Sequence, residues 1–336
     1  MTGKDALLDA LKMPTHVMVI KIKIFFKEKN LMERKTKVLG FAAVLIAAAM
    51  VMIGCNHAQG NSGKEDKKPN TPSAAREKTY QVGSVNFTMK KIDAVTDKLV
   101  GHTKQDDNKP HTVSLSAYLI GETEVTQELW EKVMGSNPSN FKDSIKNPVE
   151  QVNWYQCIAF CNELTQKVSG LGAGECVYKV EGHVYTKEDA QANKVPDMDM
   201  SKKGFRLPTE AEWEWAAMGG TEHQWAGTNN KSELKDYAWY DENSGSKTHE
   251  VKKKKANGYG LYDMSGNVWE WCWDWYNGST PAAGQTDPNG DSSGTIRVIR
   301  GGSWNDYASY CVVGSRDGDA PDGSNGNLGF RLALRP

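Results

Sequence analysis

Between Arg300 and Phe330 the chain reads RGGSWNDYASYCVVGSRDGDAPDGSNGNLGF, and this stretch gathers the groups best suited to recognising another molecule. From Asn305 to Asn327 it is almost wholly Asn, Asp, Tyr, Ser, Gly, Ala and Val, interrupted by Cys311, Arg316 and Pro321. Lys, Gln, Glu, Met and Trp are missing from it. Those absent types share one genetic property: none has a codon ending in a pyrimidine. Tyr set among small, adaptable polar residues is also the chemistry of an antibody paratope. The same residues are good turn formers, so composition alone leaves a binding face and an ordinary loop both open.

Other reactive types are scattered. The seven His show no H-x-x-x-H or H-x-E spacing of the kind that holds a metal. Cys157 and Cys161 lie one helical turn apart in the apolar stripe Trp154, Ile158, Cys161, Leu164, which reads as buried free thiols. Pairing of Cys161 with Cys176 is the alternative in an exported protein. Asp287-Pro-Asn-Gly-Asp imitates a calcium loop, but its Gly is misplaced and Val298 stands where the bidentate Glu belongs, so it reads as a turn. A net charge of −1 gives no reason to expect a nucleic-acid partner. No Lys follows Lys255 and no Glu follows Glu270, so the C-terminal part depends on Asp and Arg for charge.

The N-terminus carries an address. Met32-Glu-Arg-Lys-Thr-Lys is a basic n-region, Val38 to Ile53 an apolar h-region, and Met52-Ile-Gly-Cys55 a lipobox-like cleavage site. The apolar run is short for a membrane-spanning helix, which is the competing reading. Residues 32–54 are therefore expected to be a lipoprotein signal peptide, with Cys55 lipidated. Residues 1–31 are an upstream extension, leaving Met1 and Met32 both as possible starts. Residues 55–79 are polar, with Gly, Pro and charges and no apolar face, and read as a flexible tether. Asn56 after the lipidated Cys is not Asp, which favours export past the inner membrane and places the chain at the cell envelope, on the outer-membrane surface.

The elements that must position the C-terminal segment run from about 80 to 336 as one domain, pinned by eleven Trp. Thr112 to Ile120 alternates apolar and polar and predicts a strand. Thr126 caps a helix, with Val125 and Trp130 as a hydrophobic staple and Gly135 as its stop. Asn153 caps a second helix that runs through Leu164 and ends near Gly170. Thr209 and Glu212 form a capping box for a third, halting at Gly219-Gly220. The chain closes with Phe330, Leu332 and Leu334 alternating against Arg331, Ala333 and Arg335. A few short helices followed by Gly-rich irregular structure predict a loop-rich α+β fold.

Five ordered blocks sharpen this. They are GETEVTQELWEKVMG from 121, NPVEQVNWYQCIAFCNEL from 147, GFRLPTEAEWEWAA from 204, NGYGLYDMSGNVWEWCWDW from 257, and RGGSW with NLGFRLA from 300. Together they resemble the formylglycine-generating-enzyme (sulfatase-modifying-factor) family, a variant of the C-type lectin fold, across about 80 to 336. The family contains both enzymes and binders, so the resemblance implies fold rather than activity. Its enzymes hold copper(I) with two cysteines five residues apart, to which Asp306 and Cys311 correspond here. A carboxylate in place of the first thiol removes linear two-thiolate ligation, so no copper is expected. The family's second calcium site maps onto Asp263, Gly266, Val268 and Glu270, an oxygen set suited to Ca²⁺ as a structural ion. Hydrogen bonding of the two carboxylates to backbone around the Ser265-Gly266-Asn267 turn is the alternative.

The same fold serves the variable proteins of diversity-generating retroelements, in which adenine-directed mutagenesis rewrites a C-terminal region. Randomised AAC or AAT codons yield only residues with pyrimidine-ending codons, the restriction that 305–327 obeys. The variable region is accordingly expected at about 300–336. Asp306, Tyr307, Ser309, Tyr310, Ser315, Asp317, Gly318, Asp319, Gly323, Asn325 and Gly326 are its expected exposed, ligand-binding positions. The expected function is a surface-displayed, non-catalytic, monomeric lipoprotein, membrane-attached through its lipid and binding a protein or glycan. The alternatives are an oxidoreductase acting on exported proteins through Cys311, and a structural envelope lipoprotein without a specific ligand.

Overall fold

The computed structural model describes residues 76–336. The extension at 1–31, the signal peptide at 32–54, Cys55 and the tether as far as 75 lie outside the described residues. Among the described residues no helix is long and apolar enough to cross a membrane.

The folded part starts a little before Tyr80, because Glu77–Thr79 belong to the first strand rather than to the tether. The chain opens with β1 (Glu77–Val82), β2 (Val85–Ile92), β3 (Val95–Val100), β4 (His111–Leu115) and β5 (Tyr118–Gly121). Two helices follow, α1 (Gln127–Met134) and α2 (Trp154–Lys167). Next come β6 (Tyr178–Val180), β7 (His183–Val184), α3 (Lys187–Gln191), β8 (Asp197–Met198) and α4 (Glu210–Met218). The last third supplies β9 (Trp269–Trp275), β10 (Gln285–Thr286), β11 (Arg297–Arg300), β12 (Arg316–Asp319), β13 (Leu328–Gly329) and β14 (Ala333–Leu334).

The helix ends follow the capping chemistry. Thr126 accepts from the Leu129 amide, and Gly135 adopts a left-handed φ of 90° while donating to Glu131 O. Asn153 and Gln156 form a reciprocal box at the start of α2. Thr209 and Glu212 do the same for α4, which stops at left-handed Gly219.

The segment Thr112–Ile120 is two strands, not one. Ser116 donates from both its amide (2.7 Å) and its hydroxyl (2.6 Å) to the Asp287 carboxylate. With its amide captured there, the chain leaves one sheet and enters another. Upstream, β4 lies between β3 and β10; downstream, β5 lies between β2 and β14 in the order β1-β2-β5-β14. The first and last strands of the domain thus share a sheet, with Ala333 opposite Ile120.

A third sheet has the order β12-β11-β9-β13. Its strand β9 has the sequence WEWCWDW and is buried on both faces over most of its length. Trp154 Nε1 donates to Cys272 O (2.9 Å) and Trp271 Nε1 to Val152 O (3.1 Å), which ties α2 and its approach to this strand. Trp130 stacks on Phe160, and both meet the Phe330 ring edge-on. Buried aromatics of this size dominate a core energetically. The expected alternation at the C-terminus does not hold. Arg331 and Ala333 are as buried as Phe330, Leu332 and Leu334, because Arg331 finds an ionic partner inside. The five described cysteines are all buried free thiols, Cys161 and Cys176 among them.

Candidate ligand face and metal cluster

The segment from Gly301 to Ser315 links β11 to β12 as a run of turns. Its entry is fixed by Gly302, at φ +70°, where a Cβ would fall 2.7 Å from Cys311 Sγ and 3.0 Å from Tyr310 O. Only Gly fits so close an approach at positive φ. Ser303 then donates to Asn305 Oδ1 (2.7 Å) and bonds the Asp306 carboxylate. Trp304 Nε1 reaches across to Gly326 O (2.9 Å), and its ring packs edge-on to Phe141. Trp225 Nε1 holds Ala308 O (2.7 Å), and Ser265 Oγ holds Cys311 O (2.7 Å). The loop is therefore pinned from beneath by groups outside it.

What it presents outward is aromatic and acidic. Tyr307 is 68% exposed and Tyr310 49%. Ser309, Asp317 and Asn325 are also exposed. Asp319, Gly323 and Gly326 are half-buried; Asp319 accepts from the Ala320 amide (2.7 Å) and from Asn325 Nδ2 (3.2 Å).

Asp319, Gly323 and Gly326 are among the expected exposed positions, and three further ones also need correction. Ser315 is only 5% exposed, and its carbonyl accepts from buried Arg300 (2.6 Å), so it belongs to the scaffold. Gly318 lies against Tyr276, where a Cβ would meet the ring at 2.9–3.0 Å. Asp306 is half-buried, with Oδ2 accepting from Trp269 Nε1 (2.8 Å) and its carbonyl from the Asp241 amide (3.0 Å). Burial raises the Asp306 carboxyl above the ordinary range, against the bonds from Ser303 and Trp269. No local pattern signals the Trp269 contact, which joins residues far apart in the chain.

Cys311 is fully buried. Burial first, and the Asp306 charge second, push its thiol far above the ordinary value. A thiol held protonated and out of solvent is a poor nucleophile and a poor soft-metal ligand.

The expected calcium positions are brought together, but not as expected. Glu270 is buried and spends both oxygens on Arg331, through Nε and Nη2 at 2.5 Å each, while Oε2 also accepts from Trp213 Nε1 (2.7 Å). It serves as an ion-pair partner, with Oε2 taking two hydrogen bonds and Oε1 one. Asp263 accepts from the Lys252 amide (2.8 Å), whereas its buried Oδ1 has no partner. Gly266 and Val268 are buried at the adjoining turn. Sequence reasoning missed Glu124, whose oxygens accept from Val268 N (3.1 Å) and Asn267 Nδ2 (2.7 Å). Burial pushes Glu124 well above the usual carboxylate range, with Asp263 and Glu270 adding to the effect. Among the described residues no cluster of three or more His, Cys, Asp or Glu side chains is set to hold a metal. The unpartnered Asp263 Oδ1 is nevertheless an open, hard donor of the kind calcium takes.

This fold and these blocks define a class. Residues 64–336 match the sulfatase-modifying factor enzyme 1-like domain, and the chain belongs to that family. Among solved structures it is similar to Treponema denticola variable protein 1, at 54% identity and a TM-score of 0.72, covering 78% of this chain and 100% of that one. The chaperone protein LppX of Paenibacillus barcinonensis is 36% identical over 226 residues, 60% of this chain and 74% of that protein. The formylglycine-generating enzyme of Streptomyces coelicolor is 41% identical over 157 residues, 39% of this chain and 46% of the enzyme. The match thus spans under half of the enzyme's length.

Proposed function

We propose that this chain is a non-catalytic lipoprotein of the cell envelope, displayed on the outer-membrane surface, that binds a partner through the exposed part of 305–327. The observation that carries the reading is the pairing of two bare tyrosines, Tyr307 and Tyr310, with a loop fastened from below by Trp225, Trp269 and Ser265. Rigid aromatic anchors on a fixed base are what low-entropy recognition requires. Asp317 and Asp319, in the same segment, favour a basic or polyhydroxyl partner, protein or glycan. The pyrimidine-compatible composition and the likeness to a variable protein support diversification of this face by a retroelement. The lipobox at Cys55 supports anchoring.

Two measurements test this. Sequencing the locus should find a near-identical repeat of the 305–327 coding region that differs only at adenines; its absence would defeat the claim of diversification. On a glycan and protein array, the chain should bind a target that Tyr307→Ala/Tyr310→Ala does not; equal binding by both would defeat the claim of a ligand face. The alternative, oxidation chemistry at Cys311, predicts tight stoichiometric copper(I) uptake, which the buried lone thiol disfavours.

Calcium stays within this reading as a structural ligand near Asp263. It should raise the melting temperature in a concentration-dependent way, and Asp263→Asn should remove that dependence.

A further inference from the structure

A cleft of about 340 Å³ lies away from the tyrosine pair, between the start of β4, the first turn of α4, the end of β9 and the segment leading to β10. Its charged and titratable lining comprises His111, Glu210, Glu214, Asp274, Asp291 and Arg316. Arg316 is the one residue it shares with 305–327, so a ligand in this cleft is independent of the proposed ligand face.

Most of these groups already have partners. Arg316 donates to both oxygens of Glu210 (2.5 and 2.7 Å) and to the carbonyls of Asp107 and Ser279. Glu214 pairs with Arg300 (2.8 Å) and accepts from Asn108 and the Gly101 amide. Asp291 accepts from Asn277 (2.7 Å). Asp274 is different. It is 5% exposed, its Oδ2 takes the Glu210 amide (2.8 Å), and its Oδ1 takes no hydrogen bond from any described residue. The nearby Arg297 makes no hydrogen bond to it: that guanidinium stacks on Trp154 and Trp275 and donates to Trp273 O. Across the cleft, His111 Nδ1 bonds Lys109 O (2.8 Å); a carbonyl only accepts, so Nδ1 carries a proton and Nε2 is left without a hydrogen bond from any described residue.

The cleft therefore offers two unused acceptors, while its own cation, Arg316, is spent on Glu210 and two carbonyls. We infer that it binds a small primary amine, whose ammonium donates to Asp274 Oδ1 and His111 Nε2.

Three features narrow the ligand to that class. An ammonium supplies three donors in a compact charge, which suits two separate acceptors. A metal ion is disfavoured because no third ligand joins Asp274 and His111 in a metal-binding cluster among the described residues. A pyranose wants a free aromatic face, but Trp275 is covered by Arg297 on one side, and Gly294 approaches so closely that a Cβ there would fall 2.8–3.0 Å from it. The volume is at the small end of ligand pockets, which matches a metabolite-sized molecule. Burial, helped by the Glu210 charge, pushes the Asp274 carboxyl up to about 8. An ammonium arriving at neutral pH should thus displace the proton and leave the carboxylate behind.

The test is calorimetric titration of the full chain with 1,4-diaminobutane, methyl glucoside and Mg²⁺ separately, in two buffers of different ionisation enthalpy. Saturable binding of the diamine with release of about one proton is expected. Asp274→Asn should weaken it at least about tenfold, since Asn keeps an acceptor for the Glu210 amide but loses the charge. Ala282→Trp, at an exposed lining position away from Asp274, should block the cleft and abolish binding in a chain that melts normally. No diamine binding, undiminished binding in both variants, or binding of the glucoside or Mg²⁺ in its place would overturn the inference.

Discussion

Trp269 Nε1 lies 2.8 Å from Asp306 Oδ2, so the central strand of the scaffold grips the residue that corresponds to the first copper thiol of the family's enzymes. The grip makes Asp306 part floor and part face. A carboxylate here satisfies a half-enclosed indole N–H, which is a structural task.

Asp306→Ala should therefore destabilise the chain by about 1–3 kcal/mol, the usual cost of removing a charged acceptor and stranding its donor. Asp306→Asn should recover most of the loss, because an amide oxygen can still accept from Trp269 and Ser303. Chemical denaturation of the three proteins checks this. An alanine variant as stable as the parent would place Asp306 wholly on the surface.

Tyr307, Tyr310 and Asp317 should behave oppositely. They are exposed and hold no tertiary contact that a cap, turn or ion pair depends on. Replacing all three by Ala should shift stability by no more than about 0.5 kcal/mol per site, whereas Trp271→Ala should cost about 3–5 kcal/mol. Thermal melts of the two variants decide between surface and core; a collapsed triple variant would show these residues to be core.

Glu270 and Arg331 form a fully buried pair with two short bonds. Glu270→Gln leaves a buried guanidinium without its counter-charge and should cost about 3–5 kcal/mol, while Glu270→Leu/Arg331→Met should cost clearly less than the single change. A double-mutant comparison by denaturation gives the coupling directly. Equal losses for single and double variants would argue that Arg331 is served mainly by the carbonyls of Gly121 and Tyr262.

Local chemistry was legible in the sequence, and long-range pairing was not. Capping at Thr126, Asn153 and Thr209 is set by residues three apart, and each helix starts where its cap says. The strand break at Ser116 was hidden because it depends on Asp287, distant in the chain. The burial of Arg331 was hidden for the same reason: alternation treats Arg as outward-facing, and only the fold brings Glu270 to it. In the site, composition marked the right segment, yet it could not separate exposed Tyr307 from buried Ser315, since small polar residues occupy both faces of such a loop. Glu124 and Asp274 carried no motif and became visible only as unbalanced buried charge.

Stability should also depend on pH through Glu150. This residue is buried at the base of the loop that carries Phe141; Oε1 accepts the Phe141 amide (2.8 Å) and Oε2 has no partner. Burial pushes its carboxyl up from the ordinary 4.5 to about 7. The native state thus holds a proton that the unfolded chain releases. The stability this confers is complete below about pH 4.5 and is lost as pH rises through about 7. Glu150→Gln imitates the protonated form and should abolish that slope. Relative to the parent it should be about neutral near pH 4 and gain up to about 3 kcal/mol near pH 8, since each tenfold change in proton affinity corresponds to about 1.4 kcal/mol. Urea denaturation of both proteins across that range is the measurement. A difference between them that stays constant with pH would mean Glu150 titrates normally, with its second oxygen reached by solvent.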